Sequence, residues 1–240
     1  MKKYELTNET INHGGQTLYR IKSLRNFSDV KDGQLGGYVQ REENLSQSGN
    51  SWIYNEAMVY EKARVEEDAK VCDCAIVYGE ATISKEAVVR RNAKVYESAL
   101  VTDYSKICER AKVFGSTRLT GDTVVTDDAQ VLGLSKLVNV IVKDNSVINI
   151  NGEVLNEVQG TFTGYAQIES VNDFIVIYMN LNGVSKYTFF RSKDGEVYVH
   201  TLGEHAHKLE KLVKGLEAEH GKLPTEMANL VNLINKYFEK

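Results

Sequence analysis

Residues 81–101 read ATISKEAVVRRNAKVYESALV, and the stretch repeats with a beat of six. Ala81 leads to Ile83, Ala87 to Val89, Ala93 to Val95 and Ala99 to Val101. Neither a helical period of about 3.6 nor a strand alternation of about two gives that beat. Working outward, the same pair runs from Ser51/Ile53 to Ser135/Leu137, fifteen hexads in register. Each has Ala, Ser or Thr in the small slot and Val, Ile or Leu two places later. Such a period fits a coil with one short strand per hexad. The aliphatic residue points into a narrow core and the small one fits a tight corner. Three hexads close a triangular turn, and turns stack through parallel strand hydrogen bonds. Residues 51–140 then make about five turns, a prism about 24 Å tall.

Composition sets the outer limits. The chain has 240 residues and a formal charge of −4, which argues against a general nucleic-acid binder. No apolar run approaches the roughly 20 residues that span a bilayer. MKKYELTNET has no apolar core after its lysines, so it does not read as a secretory signal. Cys72, Cys74 and Cys108 form no even disulfide framework, and a cytoplasmic, reducing setting fits them. One proline, Pro224, suits a backbone committed to hydrogen-bond ladders.

The hexads resemble the hexapeptide-repeat superfamily, whose members form left-handed parallel β-helices, assemble as homotrimers and include many acyltransferases. A second resemblance lies in residues 24–60, LRNFSDVKDGQLGGYVQREENLSQSGNSWIYNEAMVY. This leader is similar to that of an uncharacterised family of phages, prophages and bacteria, with a G-D-V-x-x-G-x-L-G-G-[WY] run, then E-x-N-L-S and G-N-x-W. Ser28 stands where that family often has Gly. Residues 188–199, TFFRSKDGEVYV, resemble the family's tail. The resemblance implies the fold more firmly than a function, together with a phage setting.

The ends complete a mainly β chain with three parts. Residues 1–50 read as a β cap, with KYELT and TLYRIKSL around His13-Gly14-Gly15, closing the coil's lower end. After Leu137 the apolar residues of NVIVKDNSVININGEV fall out of beat, so the coil is expected to end near residue 140. Residues 141–240 read as a small α+β module, a β-meander plus two helices. Strands are expected near 161–169, 174–181, 184–191 and 196–202, with turns at Asn182-Gly183 and Asp194-Gly195. Leu209, Leu212, Val213 and Leu216 mark one helix; Met227, Leu230, Val231, Ile234 and Phe238 mark another, opened by Pro224.

A catalytic reading has little to stand on. Hexapeptide acyltransferases use a histidine base near a loop that interrupts the coil, yet residues 51–140 hold no histidine and no insertion. The five histidines, His13, His200, His205, His207 and His220, lie outside. His205 and His207 read as solvated side chains, and Cys72, Cys74 and Cys108 as reduced surface thiols. No metal, cofactor or catalytic residue is expected.

The period of 18 places Tyr60, Tyr78, Tyr96, Phe114 and Leu132 in one outward column, with Met58, Ile76, Lys94, Lys112 and Gln130 in another on the same face. Such a ring-bearing stripe reads as an oligomer interface, with Tyr60, Ile76, Tyr78, Tyr96, Phe114 and Leu132 as its candidates. Arg90, Arg91, Lys94, Arg110 and Lys112 gather beside Tyr96 and Phe114. They are candidates for an anion or nucleotide site, guanidinium on phosphate and ring on base. A solvated rim with cross-protomer salt bridges is the plainer alternative. The functional expectation is a non-catalytic homotrimeric binding protein. It would sequester a nucleotide-like signal as an anti-defence sponge, or dock a host protein. A structural spacer and an acyltransferase are the alternatives.

Overall fold

The computed structural model describes residues 2–150, 161–164, 166–181, 184–201, 206–223 and 225–239. It is mainly β, and parallel sheets wrap into a solenoid of about seven turns. Flank I stacks strands from Trp52–Ile53 through Val88–Val89 to Thr161–Phe162; flank II rises from Leu35–Val39 through Lys94–Val95 to Gln167–Ile168. Flank III runs from Arg64–Val65 to Lys136–Val138. In the repeats the register is 18, as in Val95 on Val77 and on Val113.

The beat of six is the core. Every small and every aliphatic slot from Ser51 to Leu137 is at most 1% exposed. Three of the hydroxyls in small slots bond back to a carbonyl three residues earlier: Thr117 to Phe114 at 2.7 Å, Thr123 to Thr120 at 2.7 Å and Ser135 to Leu132 at 2.6 Å. That satisfies a buried polar group which would otherwise cost stability. Two places after each aliphatic residue the chain turns through the left-handed region. From Asn55 to Asn139 every sixth residue has φ between 55° and 78°. Gly, Asn and Asp recur there because they tolerate that conformation best.

The coil does not stop where the beat stops. One residue is missing at the corner between Asn139 and Val140, so Val142 stacks on Val125 and Ile148 on Val131 with an offset of 17. Val140, Val142 and Ile148 are fully buried, and Phe162 and Ile168 continue the same two flanks above them. Residues 161–162 and 167–168 are therefore rungs of the coil, not a strand of the terminal meander.

At the lower end, β1 (Tyr4–His13) and β2 (Gln16–Ser23) form a hairpin. β3 (Leu35–Val39) pairs antiparallel with β2 and parallel with Met58–Val59, so the cap is the coil's first layer. The leader's motif residues each have a task here. A Cβ on Gly36 or Gly37 would lie 2.6 Å from the Ile53 carbonyl or 2.4 Å from that of Ala57, so only glycine lets this strand dock. Asn44 Nδ2 donates to the otherwise open carbonyls of Glu61 and Ala63, at 3.1 and 2.8 Å. Asp29 accepts from Tyr54 OH and Lys70 Nζ, both at 2.9 Å, which pins the leader loop to flank I. Trp52, fully buried between Tyr4 and Phe27, holds the cap against the foot of flank I. Ser28 has φ 46°, in the left-handed region that favours glycine.

At the upper end Phe162 meets Phe174 and Phe190 edge-on, at 5.1 and 6.2 Å, joining the coil to an antiparallel sheet. Helices α1 (Leu209–His220) and α2 (Thr225–Phe238) lie on that sheet through Leu209, Leu230, Ile234 and Phe238, against Phe189 and Val199. Gly195 has φ 80° at the expected Asp194-Gly195 turn. Asn182-Gly183, His205 and Pro224 lie outside the described residues. No helix among the described residues is long and apolar enough to cross a membrane.

Candidate functional site

The last outward position of each flank II strand precedes the corner to flank III, and rings stack there. Tyr60, Tyr78, Tyr96 and Phe114 form a continuous ladder, with centroids 5.2, 4.9 and 4.8 Å apart and planes within 6° of parallel. His13, from the hairpin tip, tilts against Tyr60 at 5.7 Å and forms the foot. Each ring in the ladder is half-buried, as are Leu132 above Phe114 and Ile76 on the neighbouring column. All six interface candidates therefore share this edge. The stacking covers both faces of Tyr78 and Tyr96, leaving ring edges and hydroxyls for a partner. Burial pushes the Tyr60 phenol up to about 12 and raises Tyr78 and Tyr96 as well, so all three stay protonated near neutrality.

The five candidate cations are only partly assembled. Lys94 and Lys112 pair in register and are exposed beside Tyr96 and Phe114. Arg91 Nε lies 2.9 Å from Glu109, and Arg110 grips Asp128 through two bonds of 2.7 and 2.5 Å. Arg90 belongs to flank I, where its Nε donates to Cys108 Sγ at 3.2 Å. The guanidinium groups expected to take phosphate are thus occupied within the chain. For Arg91 and Arg110 the partner acid lies one turn up the same coil.

That turn-to-turn pairing recurs throughout. The left-handed corner turns an N–H along the coil axis, and a carboxylate one turn below accepts it. Glu61 takes the Gly79 N–H, Asp73 that of Arg91, Glu97 that of Gly115 and Asp103 that of Gly121, at 2.9 to 3.0 Å. Lys85 Nζ and the Gly121 N–H together hold the Asp103 carboxyl below its usual range. The sequence signal for these carboxylates is an acid 18 residues before a left-handed corner.

Cys72 and Cys108 are two turns apart on flank I, and burial, the largest cause, pushes the Cys72 thiol up to about 11. No group of three or more metal-ligating side chains occurs among the described residues. A cavity of about 660 Å³ opens in the terminal module, lined by Ser170, Asn172, Asp173, Arg191 and Tyr237. Its polar groups bond to the backbone around it: Arg191 to the Phe238 carbonyl and Tyr237 OH to the Phe174 carbonyl.

No family model matches the chain. A curated protein of Escherichia coli, the uncharacterised acetyltransferase YdcK, is 30% identical over 89 residues. The match takes in 33% of this chain and spans only 27% of that relative's length. Together with the solenoid, this likeness supports a place among β-helix repeat proteins.

Proposed function

We propose that the protein is a non-catalytic homotrimeric binding protein whose ring-bearing edge is its contact surface. The observation that carries this reading is the half-buried ladder of Tyr60, Tyr78, Tyr96 and Phe114 on an uninterrupted coil. Its covered ring faces and committed Arg91 and Arg110 favour a protein partner, another protomer or a host protein, over a stacked nucleotide. The resemblance of the leader supports a phage or prophage origin and a cytoplasmic site of action. Replacing Tyr78 and Tyr96 together by Glu would set two charges into the contact without partners. The variant should sediment as a smaller species than the wild type while keeping its β circular dichroism. An unchanged assembly would remove the edge from the contact.

The partial likeness to YdcK favours one second reading, a hexapeptide-type acyltransferase. Its base would come from outside the repeats, and His13, which meets Tyr60 at the foot of the ladder, would be the residue to test. Acetyl-CoA separates the two: heat of binding with transfer to an amine acceptor, the transfer lost and the binding kept in His13→Ala, supports the enzyme, and no heat of binding removes it.

A further inference from the structure

Cations of the coil's corners follow a rule. Lys62 pairs with Glu80, Lys85 with Asp103, Arg91 with Glu109 and Arg110 with Asp128, each with an acid one turn on. The strand cations at the upper part of the ladder edge instead stand next to one another. On flank II Lys94 lies in register beside Lys112, and across the corner on flank III Arg118 lies in register beside Lys136. These are the two like-charged in-register pairs among the described coil strands. All four side chains are exposed, and none takes part in an ion pair among the described residues. Like charges on neighbouring strands repel and destabilise a sheet. Between the two pairs the crest carries Phe114, Leu132 and Leu134, the last 53% exposed, above the polar Glu97, Ser98 and Ser116. Lower on the same corner the crest is the Lys62–Glu80 ion pair.

We propose that this patch docks an acidic protein segment. Its apolar side chain would lie on Leu132 and Leu134, with carboxylates reaching Lys94 and Lys112 on one side and Arg118 and Lys136 on the other. The chain's net charge of −4 makes the patch a local exception, and charge complementarity selects the partner. A small anion would satisfy the cations but leave the leucines uncovered. The inference concerns the upper end of the edge, Leu132 and Leu134 above Phe114, and leaves the ladder from Tyr60 to Phe114 to self-association.

The test uses the full chain and a fluorescein-labelled peptide of alternating glutamate and leucine, read by anisotropy at low and physiological salt. Binding should weaken with salt. It should fall about tenfold in Lys94→Glu with Lys112→Glu, and again in Arg118→Glu with Lys136→Glu. Lys106→Glu, an exposed cation on flank I, should leave it unchanged. Sedimentation of both double variants should match the wild type. Absence of binding, equal loss in Lys106→Glu, or displacement by pyrophosphate as effectively as by unlabelled peptide would overturn the proposal. So would a changed assembly state in the double variants, since the patch would then belong to the contact between copies.

Discussion

The Glu97 carboxylate accepts the Gly115 N–H at 2.9 Å, one turn of coil above it. The same bond joins Asp103 to Gly121, where Lys85 adds a second donor at 2.6 Å. Stacked strands satisfy the backbone along each flank, but the left-handed corners leave an N–H that only a side chain can reach. The acids on the corners are therefore part of what holds one turn to the next.

A pH dependence follows. The folded-state carboxyls of Asp103 and Asp29 titrate below their unfolded value of about 3.9, Asp29 at about 2. Groups depressed in this way stabilise the fold above the unfolded value, and the contribution is lost as pH falls through the folded one. The melting temperature should fall from about pH 4 towards about pH 2. Asp103→Asn should make that fall shallower. An equal slope in wild type and variant would take Asp103 out of the account.

The small slots test the register. Ala93 is fully buried, so Ala93→Leu should overpack the bore and cost about 1–3 kcal/mol in denaturant unfolding. Thr82, half-buried on the outer side of flank III, should accept Lys within about 0.5 kcal/mol. Equal losses would mean that the coil's inner and outer positions are wrongly assigned.

Ser28 holds φ 46° in the leader loop. Ser28→Gly relieves that strain against a gain in unfolded-chain freedom, and should stabilise by about 0.5–1 kcal/mol. A destabilised variant in urea unfolding would show that the Ser28 hydroxyl, 3.2 Å from Asp29, matters more than the turn.

Much of this was legible in residues alone, and the limits have physical causes. The hexads placed every rung from Ile53 to Leu137 because burial is set by a local slot. The rungs at Val142 and Ile148 were missed because one residue removed at the Asn139 corner shifts the beat without changing the stacking. The aromatic column was visible by period, but that its rings lie face on face depends on side-chain geometry. Arg91 and Arg110 drew notice as a cluster because their partners, Glu109 and Asp128, lie a full turn away in sequence. The leader was recognisable as a cap, yet the reasons for Gly36, Gly37 and Asn44 lie in the layer of coil above them.

Sedimentation equilibrium of the unmodified chain bears most directly on the account. If the ladder edge from Tyr60 to Phe114 is a contact between copies, the protein sediments at three times its chain mass across the concentration series. A single species at one chain mass would contradict the assembly and leave the ladder as an intramolecular stack alone.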